Sequence, residues 1–257
     1  MTQQGRISTS VRPRRPGSGS GPRARRRAVV ASEPARGDAL DYAGHNADVL
    51  LAQAEGLDSA VHLEWVVSRF LPCWGDAATR FDREHLEPTV LAVVGELDLA
   101  GDDVALTVLR GLGALARDTI AEASTAAAER LEAAGVTTPA WAAQIGQAKA
   151  VAARVSHNAE DDSAGVMIEY AYPDGARHAL AAFIADDMGG AVKFMGLTKP
   201  FGEAFDGSEL PFQTIDPAEG KRMIREALEV TDQERARFEG DPSMRELGPL
   251  AWSRVRE

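Results

Sequence analysis

Between Gly165 and Leu197 the chain leaves itself almost a single local solution. Val166, Ile168, Tyr170 and Tyr172 alternate with Met167, Glu169 and Ala171, which is the two-residue period of a strand. The run Tyr172-Pro173-Asp174-Gly175-Ala176 then reads as a turn. Proline presets φ, Asp174 can bond nearby backbone, and Gly175 accepts the left-handed conformation of a three-residue loop with a bulge. This turn predicts a hairpin with Tyr172 paired to Ala176. The register follows: Tyr170 faces His178, Ile168 faces Leu180, Glu169 faces Ala179 and Met167 faces Ala181. Glu169 then sits diagonal to Arg177, where a charge pair can form. Gly189-Gly190 permits a reversal into Ala191 to Leu197, so the expectation is a three-stranded antiparallel meander.

The chain before this segment has a different period. Residues 38–155 read as helices, with Asp58, Asp82 and Asp102 as N-caps and Leu106, Leu109, Leu112 and Leu115 as one apolar stripe. Gly135 suits a helix C-terminus. Thr138 followed by Pro139-Ala140-Trp141 suits the start of a fifth helix. After the meander, Thr198 to Gln213 reads as a long loop, and Asp216-Pro217 opens a helix to about Glu229. Residues 236–257 read as a partly helical surface tail. The expected fold class is α+β: a mainly helical N-terminal half packed as one unit with a small region, 156–235, that holds the meander and a C-terminal helix.

Charge divides the chain more sharply than composition does. Residues 1–37 hold nine arginines and one acid, Glu33, for a net charge of +8; with −11 overall, the remaining 220 residues carry −19. The arm is rich in Arg, Pro, Gly and Ser and reads as disordered, because it cannot bury enough apolar surface to offset its ordering entropy. It offers a route to nucleic-acid association, although the aromatic residues that stack on bases are missing. The acidic body repels nucleic acid and anionic membrane. One cysteine, Cys73, excludes an internal disulfide and a cysteine-based zinc site, which fits a bacterial cytoplasmic protein. No run approaches the roughly 18 apolar residues of a membrane helix. Arg25-Arg26-Arg27 is followed by too short an apolar stretch for an export signal.

Assembled catalytic motifs are absent. Gly111-Leu112-Gly113-Ala114-Leu115-Ala116 echoes a dinucleotide fingerprint but lies inside a helical stripe, where a close helix contact explains it better; no cofactor is expected. The five histidines (His45, His62, His85, His157 and His178) make no pair at helical metal-binding spacing, so no metal site is expected. Cys73 lacks a local nucleophile signature. His157-Asn158-Ala159-Glu160-Asp161-Asp162 lacks the ligand alternation of a calcium loop. The sharpest polar cluster is Glu169, His178, Asp186, Asp187 and Lys193 around the meander, where Gly189-Gly190 leaves backbone amides approachable.

Several of these residues carry a resemblance. Phe70-Leu71 with Trp74, Pro139-Ala140-Trp141, Tyr172-Pro173-Asp174-Gly175 with His178-Ala179-Leu180, and Met188-Gly189-Gly190 with Val192-Lys193 resemble a group of uncharacterised actinobacterial proteins over roughly residues 60–230. The resemblance implies a shared domain and no reaction type. An acid often follows the lysine in that group, whereas this chain has Phe194, which argues against a lysine–acid pair. The expectation is a binding or regulatory protein with an unidentified protein or small-molecule partner at the acidic turn. The alternatives are a metal-assisted hydrolase using His178 with Asp186 or Asp187, and a nucleic-acid-associated protein acting through residues 1–37.

Overall fold

A computed structural model describes residues 39–71, 80–158, 162–204, 211–233 and 242–256. The arm at 1–37, Cys73 and the acids Glu160 and Asp161 lie outside the described residues. The helices α1 (Ala39–Ala54), α2 (Ala60–Phe70), α3 (Arg80–Ala100), α4 (Asp103–Leu115) and α5 (Asp118–Ala133) come first. A 3-10 turn at Ala140–Gln144 leads into β1 (Lys149–Asn158), β2 (Ser163–Ala171) and β3 (Arg177–Ala185). A second 3-10 turn, Asp186–Met188, precedes β4 (Ala191–Thr198), the short α6 (Phe201–Ala204) and β5 (Gln213–Ile215). The helices α7 (Pro217–Gln233) and α8 (Pro242–Val255) complete the order.

The protein is α+β, and among the described residues its antiparallel sheet has five strands in the order β4-β3-β2-β1-β5 rather than the three of the expected meander. The hairpin register is the one the turn dictates, with Tyr170 opposite His178, Ile168 opposite Leu180, Glu169 opposite Ala179 and Met167 opposite Ala181. At the turn itself, the Tyr172 amide donates to the Ala176 carbonyl at 2.9 Å, and Gly175 has φ +91°.

The missed strand β1 lies in the stretch expected to be helical, and the boundary drawn at residue 155 cuts through it. Its sequence, KAVAARVSHN, is masked by alanines that carry little strand preference. Packing explains them. A Cβ placed on Gly220 of α7 would stand 3.0 Å from the Ala153 Cβ and 3.2 Å from Ile168, so small residues on both sides let α7 lie close against the sheet. β5 adds a three-residue pairing to the other edge of β1.

Other local expectations fare unevenly. Asp102 caps α4 by accepting from the Ala105 amide at 2.8 Å, and Asp216 accepts from the Ala218 amide at the start of α7 at 2.7 Å. By contrast, Ser59 is the N-cap of α2 instead of Asp58, and α3 begins ahead of Asp82. The fifth expected helix is only the 3-10 turn, and Thr138 instead accepts from Arg110 Nη1 at 2.9 Å. Gly111 sits where a Cβ would meet Val67 at 2.9 Å, the close contact of α4 with α2. The C-terminal segment is core and not surface: Leu250, Ala251 and Val255 are fully buried in α8.

One face of the sheet, bearing Val166, Ile168, Tyr170, Leu180 and Ala182, shares a continuous core with the helices. On the other face Met167, Ala179 and Ala181 form a smaller cluster under Phe201.

Candidate functional site

The sheet's two ends behave differently, and the difference begins with strand length. β4 runs alongside β3 only as far as Thr198, which pairs with Ala179. Lys199 and Pro200 then leave the sheet, since proline has no amide to continue the ladder. Among the described residues, Arg177 and His178 at the start of β3 thus have no strand neighbour on that side. The opening continues between α2 and α8 as a groove of about 1060 Å³. Val61 and Trp65 of α2, Leu247 of α8, and Met195 and Leu197 of β4 give it an apolar floor. Its charged rim is internally paired, with Arg177 Nη1 on Glu169 Oε1 at 2.9 Å and Lys199 Nζ on Glu203 Oε2 at 4.0 Å.

His178 forms part of the wall of this groove and is only 5% exposed. Its ring stacks on Tyr170, with centroids 5.6 Å apart, and lies 5.5 Å from Tyr172 in a tilted contact. Neither ring nitrogen has a hydrogen-bond partner among the described residues. Burial, aided by the Arg254 guanidinium, pulls its pKa down to about 3, so the imidazole stays neutral across the physiological range. A neutral imidazole offers one donor and one acceptor, and leaving such atoms buried and unpaired costs roughly 1–3 kcal/mol.

Behind His178 lies a buried ionic network that joins segments far apart in the chain. Glu64 of α2 is fully buried and accepts at Oε2 from both Arg254 of α8 and the Tyr172 hydroxyl. Its Oε1 accepts from the Gly146 amide at 2.7 Å. Arg254 Nη2 also donates to the Tyr172 oxygen at 2.9 Å, and the Tyr170 hydroxyl donates to the Arg254 carbonyl at 3.3 Å. The guanidinium lies 5.6 Å over the Tyr170 ring and 5.8 Å over that of Tyr172. Burial works against the charge of Arg254; the Glu64 carboxylate and the two tyrosines more than restore it, so its pKa stands above the ordinary value. Burial raises both tyrosine pKa values, Glu64 raises Tyr172 further, and Arg254 opposes both shifts. The network fixes the hairpin end onto α2 and α8 and packs behind the His178 ring without itself lining the groove.

Of the five residues singled out from sequence, Glu169 and His178 border the same groove from opposite faces of the sheet, and Asp186, Asp187 and Lys193 lie away from it. Glu169 is buried on the opposite face, where it pairs with Arg177 and its Oε2 accepts from the Phe201 amide at 2.9 Å. That arrangement anchors the chain leaving β4. Asp186 and Asp187 are exposed in the 3-10 turn at the far end of β3. The strand between them and His178 spans roughly 25 Å at about 3.3 Å per residue. Lys193 is exposed on β4, near that turn. Sequence reasoning missed Glu64, Arg254 and Tyr172. Glu64 and Arg254 carried one usable signal, a charge inside an apolar helical stripe: Glu64 falls between Leu63 and Val67, and Arg254 beside Trp252 and Val255. Among the described residues no group of three or more His, Cys, Asp or Glu is placed to hold a metal ion, and no helix is long and apolar enough to cross a membrane.

Compared with known protein families, with curated proteins and with solved structures, the chain matches none.

Proposed function

We propose that the protein is a non-enzymatic binding protein whose ligand or partner occupies the groove at the hairpin end of the sheet. The observation that carries this reading is His178: a neutral, nine-tenths-buried imidazole whose two nitrogens have no partner among the described residues, set in the wall of a large groove. Buried polar atoms are nearly always paired, so an orphaned pair beside a cavity points to a group supplied from outside.

The same residue argues against acid–base work. A general base needs a pKa near the working pH and a partner that orients it, and His178 has neither. The hydrolase alternative needs His178 with Asp186 or Asp187 in one site, and a whole strand separates them. The reading therefore moves the binding site from the acidic turn to the other end of the same strand.

A titration with small amides, alcohols and carboxylates, followed through the ¹⁵N resonances of the His178 ring, tests this. Fragments carrying both a donor and an acceptor should shift those resonances and the groove residues around them. If fragments gather elsewhere, or leave the His178 ring unmoved at millimolar concentration, the reading fails.

A further inference from the structure

The groove also contains a stretch of sheet edge that no described residue covers. On an antiparallel edge strand, alternate residues turn both their amide and their carbonyl away from the sheet. Along β4 these outward amides are capped in turn. Val192 donates to Thr231 Oγ1 of α7 at 2.8 Å, and Met195 donates to Ser243 Oγ of α8 at 3.0 Å. Both hydroxyls are borrowed from helices that cross the edge, which blunts it against unwanted strand pairing. The next outward residue is Leu197, opposite Leu180. Among the described residues nothing caps its amide, and it lines the groove.

Resting on the groove reading above, we infer that the occupant is an extended peptide segment of a partner protein, added as a further strand at Leu197. Backbone pairing supplies the recognition that an outward amide and carbonyl demand. The pleat sets the side chains. Met195 and Leu197 point to the helix side, so the peptide residue beside Leu197 places its own side chain over Val61, Trp65 and Leu247, and that position calls for an apolar residue. Its neighbours point to the opposite, solvent-facing side, where Phe194 is 44% exposed, and are polar. The rim ions already pair with one another, so a segment without net charge fits best. Because β4 stops at Thr198, no described strand stands between such an added strand and His178, which lines the same groove and whose donor and acceptor can take up a polar group of the peptide.

The probe is a capped pentapeptide of alternating threonine and valine, used beside the same peptide N-methylated at alternate amides. Amide exchange and ¹⁵N shifts of the whole protein report the result. The unmodified peptide should slow exchange at Leu197 by about tenfold at ten times its dissociation constant, while the N-methylated peptide leaves it unchanged. Leu197→Pro removes the outward donor together with the leucine side chain of the groove floor, so Leu197→Ala serves as its control; the proline variant should weaken binding by about tenfold or more beyond the alanine variant. Equal binding of both peptides, or unchanged Leu197 exchange while fragments still move His178, overturns the strand-addition inference and leaves the groove reading standing. Protection of Leu197 without peptide that vanishes on dilution assigns the edge to a second copy of this chain and equally overturns the partner peptide. Silence at both Leu197 and His178 removes both proposals.

Discussion

The two ends of β3 carry polar residues for opposite reasons. At the start, His178 is buried between two tyrosines and backed by a Glu64–Arg254 ion pair, with side chains drawn from α2, β2, the hairpin turn and α8. At the finish, Asp186 and Asp187 stand in solvent, and the hydrogen bonds of their turn are made by backbone: Asp186 N–H to the Asp162 carbonyl, Gly189 N–H to the Asp186 carbonyl and Gly190 N–H to the Ala185 carbonyl. The first end spends conformational freedom and desolvation on an arrangement that packing alone would not require. The second satisfies a chain reversal. Conspicuous polar residues at a turn are thus a poor guide to a site, whereas polar residues forced into a core demand a reason.

The comparison breaks most violently at Arg254. Arg254→Met leaves the Glu64 carboxylate buried without its counter-ion, and removing one member of a buried pair costs about 3–5 kcal/mol. Urea unfolding should show that loss, and adding Glu64→Gln, which removes the stranded charge, should recover at least about 1 kcal/mol of it. If the single variant loses less than the usual surface substitution, the hairpin end is not held as described.

His178 gives a pH signature of the same end. Its folded pKa of about 3 lies below the ordinary 6.5, so beneath pH 6.5 the unfolded chain takes up a proton that the folded chain refuses. This contribution to stability is intact above pH 6.5 and is lost progressively as the pH falls toward 3. His178→Phe keeps a ring between the tyrosines and abolishes the titration. Between pH 7.5 and pH 5 the wild type should lose about 2 kcal/mol relative to that variant, measured by urea melts at each pH. Parallel pH profiles for the two proteins would mean that His178 is not held neutral.

Backbone geometry should dominate the other end. Gly189 has φ +71°, and no atom stands within 4 Å of a Cβ placed there, so Gly189→Ala tests conformation alone. A left-handed alanine costs about 1–2 kcal/mol, to be read as a lowered melting temperature with His178 exchange and groove binding unchanged.

What the sequence disclosed follows the same division. The hairpin was legible because alternation and turn chemistry are local: Pro173, Asp174 and Gly175 set the register of every pair down to Met167 and Ala181. The caps at Asp102 and Asp216 were legible for the same reason. β1 was not, because its alanines answer to Gly220 more than sixty residues away, and neither was α8, whose Pro249 and Gly248 look like a chain terminus until Leu250 and Val255 are seen buried. The groove needed more still. It exists only where α2, α8 and the shortened β4 meet, and no periodicity within one segment encodes that meeting.

The smallest effect belongs to the residues that drew most notice. Asp186 and Asp187 are exposed, their side chains make no hydrogen bond or ion pair among the described residues, and surface changes of this kind stay within about 0.5 kcal/mol. The double variant Asp186→Asn, Asp187→Asn keeps the shape of both side chains and removes two charges about 25 Å from His178, well beyond the screening length of about 8 Å at physiological ionic strength. Its melting temperature, the His178 ring resonances and the affinity for a groove-binding peptide should all match the wild type. A loss of peptide affinity with stability unchanged would place the partner at the acidic turn after all, and the two ends of β3 would have to exchange roles.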